Sequence, residues 1–411
     1  MAGRRSASRA GLSLVLLLAA LVGCGGRAAP DTADADVRQL LQRRATAVLD
    51  RDEAGFRATG DAAAAVTGFA NLRDVPLASW SYRLTGLHRS GDSATATAEL
   101  RYRIEGYDAA PVSADRALRL TRAAGAWHIA SDEPAGKAAD QLWDQGPVTA
   151  VRGEHSLVLG VGQPRERLRS FADLADHAVP AVSDAWDTGW ARHVVVLVPK
   201  SLEAMAGLLG APASGYRGIA AVTIGEVGEA NPGSPRPETG GGSAKAPADR
   251  IIVNPDAYGV LGDFGKQVVL THETTHVATR ARTTGATPLW LSEGYADWVG
   301  YRSGGRAPRR VAPELERAVS GGHVPAALPD DADFGFSADA ARLARAYEGG
   351  WMACRLIADH WGEVRLNDFY RAVGEHRERA GAVEGALRDV LHTTPQEFTE
   401  LWRQYLEGQL G

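Results

Sequence analysis

The chain has 411 residues, 45% hydrophobic and 23% charged, the composition of a globular protein and not of a disordered, fibrous or polytopic membrane one. Lys and Arg number 45 against 50 Asp and Glu, a formal net charge of −5 that falls to −8 once a leader carrying Arg4, Arg5 and Arg9 is removed. That balance argues against nucleic acid as a partner, because phosphate binding needs a basic footprint. The length predicts two or three folded units.

Residues 1–23 read as an export leader, with Arg4, Arg5 and Arg9 as a charged start and Gly11 to Val22 as an apolar run. At about 1.5 Å per residue that run is too short to cross a hydrocarbon core of about 30 Å. It ends in Leu21-Val22-Gly23-Cys24, which resembles the bacterial lipobox. The resemblance implies a diacylglycerol on Cys24 and a protein lipid-anchored at the outer face of the cell membrane. The other cysteine, Cys354, lies in the apolar run Trp351-Met352-Ala353-Cys354 and is expected to be a buried helical residue, so no disulfide is expected.

After Cys24, residues 24–36 read as a tether. Val37, Leu40, Leu41, Val48 and Leu49 then recur at the spacing of one helix face. Residues 94–104 switch to period two: Ala94, Ala96, Ala98, Leu100, Tyr102 and Ile104 point one way, Thr95, Thr97, Glu99, Arg101 and Arg103 the other. Shorter alternations at Ser79–Leu87, Arg116–Thr121 and Ala126–Ser131 complete a small α+β unit over residues 37–135, whose element order resembles the NTF2-like cone. His88 and His128 stand singly there and are read as ordinary histidines.

A second α+β unit is expected over residues 140–411, with strands at 155–160, 193–199, Ala220–Ile224 and Ile251–Asn254, and helices at Arg165–Asp187 and from Ser201 to Gly210. A Gly- and Pro-rich insert, Gly228–Ala248, separates the last two strands. From Gly265 the chain reads as mostly helical, and Thr394-Pro395-Gln396-Glu397 forms a capping box with Pro at the first helical position.

The strongest chemical signal is His272-Glu273-Thr274-Thr275-His276. Residues four apart share one helix face, so both imidazoles can reach one metal ion while Glu273 stands beside the open coordination position. A tetrahedral zinc site needs a third protein ligand, and the stretch Pro288-Leu289-Trp290-Leu291-Ser292-Glu293-Gly294-Tyr295-Ala296-Asp297 supplies carboxylate candidates.

H-E-x-x-H followed by W-L-x-E-G-x-A resembles the gluzincin metallopeptidases, the thermolysin and membrane-aminopeptidase superfamily. That resemblance implies a zincin-like domain, one zinc ion held by His272, His276 and Glu293, and Glu273 as general base. It implies Asp297 as the acid that accepts a hydrogen bond from a ligand histidine. The later Arg345-Ala346-Tyr347-Glu348-Gly349 matches the aminopeptidase-type Y-E-x-G, which implies Tyr347 as the donor to the oxyanion. Two departures stand out: only 16 residues separate His276 from Glu293, a little short for the family, and nothing matches the G-x-M-E-N motif that holds a substrate's free amine. Exopeptidase specificity therefore has no support. The expected function is zinc-dependent hydrolysis of peptide or protein substrates outside the cytoplasmic membrane. The alternatives are hydrolysis of another amide or ester, and a non-catalytic binding or envelope-assembly module, against which Glu273 speaks because a purely structural site needs no base. Substrate and oligomeric state stay open.

Overall fold

The computed structural model describes residues 33–61, 68–187, 189–225, 248–335 and 339–411. The leader, Cys24 and the insert Gly228–Ala248, apart from Ala248 itself, lie outside these residues. The fold is α+β, with two sheets and many helices. Among the described residues no helix is long and apolar enough to cross a membrane.

Helix α1 (Ala33–Leu49) begins four residues before Val37, so the end of the expected tether is helical. Asp34 and Asp36 fall in its first turn, where the helix dipole favours carboxylates. Val37, Leu40, Leu41 and Val48 are buried, but Leu49, at the helix end, is 39% exposed. A short helix, α2 (Glu53–Ala58), follows, capped by the Asp52 side chain on the Gly55 N–H.

Four strands then form an antiparallel meander in sequence order: β1 (Leu77–Ser90), β2 (Ser93–Ile104), β3 (Val112–Ala123) and β4 (Ala126–Pro134). The alternation in β2 is realised as burial of Ala94, Ala96, Ala98, Leu100, Tyr102 and Ile104 on one face. Glu99 breaks the pattern: it is buried on the other face, where the Arg83 guanidinium Nε donates to it over 2.7 Å. The apolar face is shared between two neighbours. Ala94, Ala96 and Ala98 pack under α1, whereas Leu100, Tyr102 and Ile104 pack on the second sheet.

That second sheet has the order β5-β6-β7-β9-β8, made of β5 (Val148–Arg152), β6 (Ser156–Val161), β7 (Val194–Val198), β8 (Ala221–Gly225) and β9 (Asp249–Val253). β6, β7 and β9 run parallel, and the outer strands β5 and β8 are antiparallel to their neighbours. β5 has no counterpart among the sequence-based expectations, its five residues being too few for a clear period. β6 and β7 are buried at every residue, as strands covered on both faces must be. Leu157, Leu159, Val195, Leu197 and Ile252 meet Trp80, Tyr102 and Trp143 on the side of the first sheet. Val158, Val194, Val196, Ile251 and Val253 meet the helices of the other side.

Those helices are α3 (Arg165–Ala185), which links β6 to β7, and α5 (Asp263–Thr279). The intervening α4 (Leu202–Leu209) is capped by Ser201 and ends on Gly210 in the left-handed conformation. Beyond α5 the chain is helical: α6 (Leu289–Arg302), α7 (Pro313–Ser320), α8 (Ala340–Trp361), α9 (Glu363–Glu375) and α10 (Pro395–Leu410) enclose a core that includes Leu291, Tyr295, Met352, Cys354, Phe369 and Trp402. Cys354 is buried and free. α10 carries the Thr394 and Glu397 capping box.

Candidate metal centre

α5 carries His272, Glu273 and His276, and its burial is secured by a ladder of hydroxyls. Thr271, Thr275 and Thr279 each donate to the carbonyl four residues back, to Gln267 (2.9 Å), Thr271 (2.8 Å) and Thr275 (3.0 Å). Threonine is a modest helix former, but in these three residues the hydroxyl is satisfied within the helix, which lowers the cost of burying the side chain. Leu270 on the same helix packs against the layer formed by Phe171, Ala172 and Ala175 of α3.

The link from α5 to α6 is short but tightly built. A 3₁₀ turn, Arg280–Arg282, continues α5. Thr284 and Thr287 then hold the loop through Thr284 N–H to Thr287 Oγ1 (3.2 Å) and Ala286 N–H to Thr284 Oγ1 (3.2 Å). Sixteen intervening residues thus suffice to bring Glu293 against the two histidines. α6 in turn crosses α8 at a glycine contact: a Cβ on Gly294 would lie 2.3 Å from the Gly350 backbone, and one on Gly350 would lie 2.5 Å from Trp290 O. Tyr295, one residue on, fixes α6 to α9 and α3 by donating to Asn367 Oδ1 (2.6 Å), while Asn367 Nδ2 donates to Ala185 O (2.7 Å).

Three ligand atoms converge. His272 Nε2 lies 3.2 Å from Glu293 Oε2, His276 Nε2 lies 3.4 Å from the same oxygen, and the two Nε2 atoms are 3.1 Å apart. Among the described residues this is the one group of three such side chains able to hold a metal ion. His272 Nδ1 donates to Asp297 Oδ1 over 2.8 Å, so in the neutral ring Nε2 is the nitrogen whose lone pair could serve a metal ion. The four side chains are 13 to 20% exposed, so the cluster opens to solvent without standing in it.

The electrostatics are those of close opposite charges. Burial lowers the His272 imidazole's pKa, but Asp297, then Glu293 and Glu273, outweigh it and hold it well above its ordinary value. Burial acts against the Glu293 carboxylate, yet the two imidazoles hold its pKa well below the usual range.

Glu273 is buried and is held by the edge strand. Thr223 Oγ1 lies 2.6 Å from Glu273 Oε2 and 3.0 Å from its backbone oxygen. Nothing in the local pattern of β8 marks Thr223, which meets Glu273 only through the tertiary fold. Tyr347 on α8 is half-buried, stacked edge-on to Phe334 at 5.1 Å. Burial raises its pKa well above 10, and Glu293, Asp297 and Glu273 add to that rise, so the phenol keeps its proton. Its neighbour Glu348 turns away and accepts the N–H groups of Glu314 (3.2 Å) and Leu315 (2.6 Å) at the start of α7.

Among the described residues β8 is at one border of the second sheet, with β9 between it and β7. Residues His88, His323, His360 and His392 are exposed and apart from the cluster. Compared with known proteins, the chain matches no family profile and no curated protein.

Proposed function

We propose that this protein is a zinc-dependent peptidase of gluzincin type, its catalytic unit zincin-like and its N-terminal unit NTF2-like, exported and held at the outer face of the membrane by a lipid on Cys24. The observation that carries the reading is the spacing of the three ligand atoms. A tetrahedral zinc with bonds of about 2.0–2.1 Å requires ligand atoms about 3.3–3.4 Å apart, and the distances here are 3.1, 3.2 and 3.4 Å. His272, His276 and Glu293 would hold the ion, and the imidazole, imidazole and carboxylate set leaves a fourth position open, as catalytic zinc sites do.

A zinc ion held by these three residues would supply Lewis acidity toward the substrate carbonyl and the attacking water. Asp297 keeps His272 in the tautomer whose Nε2 is a ligand. Glu273 takes the proton of the attacking water and delivers it to the leaving amine. Tyr347, protonated, donates to the carbonyl oxygen as charge develops there. The substrate enters extended and pairs with the outer edge of β8, the border strand among the described residues. The first sheet, packed behind the second, supports that edge.

Metal analysis of the purified protein by plasma mass spectrometry, beside His272→Ala and Glu273→Gln variants, tests the proposal. About one zinc per chain in the wild type and in Glu273→Gln, none in His272→Ala, and hydrolysis of a generic protein substrate by the wild type alone are expected. Absence of zinc after reconstitution, or full activity in Glu273→Gln, overturns it.

A further inference from the structure

Three residues of β8, Ala221, Thr223 and Gly225, alternate toward the helix-covered face of the second sheet, while Val222 and Ile224 pack on the side of the first sheet. Of those three only Thr223 carries a polar group. It pairs with Ile251 in the middle of the strand and reaches Glu273 Oε2 at 2.6 Å. A carboxylate and a carbonyl are both acceptors, so the hydroxyl must be the donor, and its single hydrogen goes to the nearer carboxylate oxygen. Among the described residues no hydrogen bond occupies Oε1 of Glu273, which is the oxygen available for proton transfer.

We propose that Thr223 is the positioning residue of the general base, so that the strand offered to the substrate and the base that activates its attack move as one unit. The proposal rests on the peptidase reading for its catalytic meaning. A glutamate side chain has three rotatable bonds, and a base that must be within hydrogen-bonding reach of one proton loses rate when it samples other rotamers. The β-branched Thr suits this post: its χ1 is stiff on a strand, and it supplies the donor without lengthening the side chain. A peptide that adds to β8 and shifts it slightly would carry Thr223, and with it the carboxylate, along the same path. Substrate docking and base alignment are thereby coupled without any contact between peptide and Glu273.

The test compares Thr223→Val, which keeps the shape and removes the donor, with Thr223→Ser, which restores the donor. Steady-state hydrolysis of a peptide is expected to show kcat lowered about 10-fold or more in Thr223→Val, the loss expected for one hydrogen bond to a charged group. KM and zinc content should stay within twofold of wild type, and Thr223→Ser should recover most of the rate. A second measurement needs no activity: in crystal structures of the two variants, the Glu273 carboxylate should leave its place in Thr223→Val and keep it in Thr223→Ser. A carboxylate unmoved in Thr223→Val, or a kcat within twofold of wild type, overturns the proposal. Absence of peptide hydrolysis by the zinc-loaded wild type would overturn the peptidase reading instead, and the crystallographic comparison would still decide whether Thr223 holds Glu273.

Discussion

Glu348 sits beside Tyr347 but serves a different neighbour, and its chemistry makes a prediction of its own. Burial pushes its carboxyl up to about 7 even though the Leu315 and Glu314 N–H groups, which favour the charged form, donate to it; the Glu314 carboxylate adds to the rise. The folded pKa thus lies above the ordinary value of 4.5. Protonated Glu348 is favoured by folding, so its contribution to stability is complete below about pH 4.5 and is lost as the pH rises through about 7. Thermal melting of the metal-free protein between pH 5 and 8 should therefore show the midpoint falling as the pH increases. In Glu348→Gln, which carries no charge to bury, the fall should be smaller. Equal slopes for the two proteins in differential scanning calorimetry would show that Glu348 titrates normally.

Among helices, the contact between α6 and α8 sets how closely the Glu293 carboxylate approaches the histidines. Gly294 follows Glu293 directly, and a methyl group there would overlap the Gly350 backbone, which no rotamer change can relieve. Gly294→Ala is expected to destabilise the protein by about 1–3 kcal/mol, the usual cost of overpacking, and to lower metal content because α6 must retreat. Gly408 is the control: it lies in α10 with nothing within 4 Å of its missing Cβ. Gly408→Ala should leave metal content unchanged and stabilise by up to about 1 kcal/mol through helix propensity. Equal effects of the two substitutions, measured by denaturant unfolding and metal analysis, would contradict this assignment. The motif stretches around Glu293 and Tyr347 were legible in the sequence as ligand and donor candidates. That their glycines touch was not, because Gly294 and Gly350 lie on separate helices and each reads alone as an ordinary helical glycine.

At the scale of the molecule the two sheets are joined by charge as well as by apolar packing. Arg250 on β9 meets Asp108 in the β2–β3 loop through two bonds of 2.8 and 2.9 Å, and their side chains are 2% and 0% exposed. Asp108 also accepts the Ile104 N–H at 2.8 Å. The preceding residue, Asp249, accepts from Arg280 Nε at 2.7 Å at the end of the histidine helix. Adjacent positions of one strand thus tie the first sheet on one side and α5 on the other. Asp108→Ala removes the carboxylate opposite a buried guanidinium, which costs about 3–5 kcal/mol. Scanning calorimetry should show a single transition for the whole protein, shifted down in Asp108→Ala. Two separate transitions in the wild type would show that the sheets unfold independently and that their contact contributes little.

The division between what the amino-acid order specifies and what only folding reveals follows the range of the interactions. Ser201 and Gly210 at the ends of α4, the Thr394 and Glu397 box, the alternation of β2 and the sharing of one helix face by His272 and His276 all depend on partners within a few residues. Those features are written locally and could be read directly. The start of α1 at Ala33 and the strand β5 were missed for a related reason, since a Gly-, Ala- and Asp-bearing stretch and a five-residue strand carry little periodicity to distinguish them. The position of Glu293 against both histidines, the place of β8 at the sheet border among the described residues, the hold of Thr223 on Glu273 and the pair Asp108–Arg250 were decided by tertiary structure. Thr223 and Glu273 are 50 residues apart, and Asp108 and Arg250 are 142 apart. No local propensity encodes such contacts: they arise when the sheet order and helix crossings bring distant side chains to one place, where burial makes an unpaired donor or charge too costly to leave.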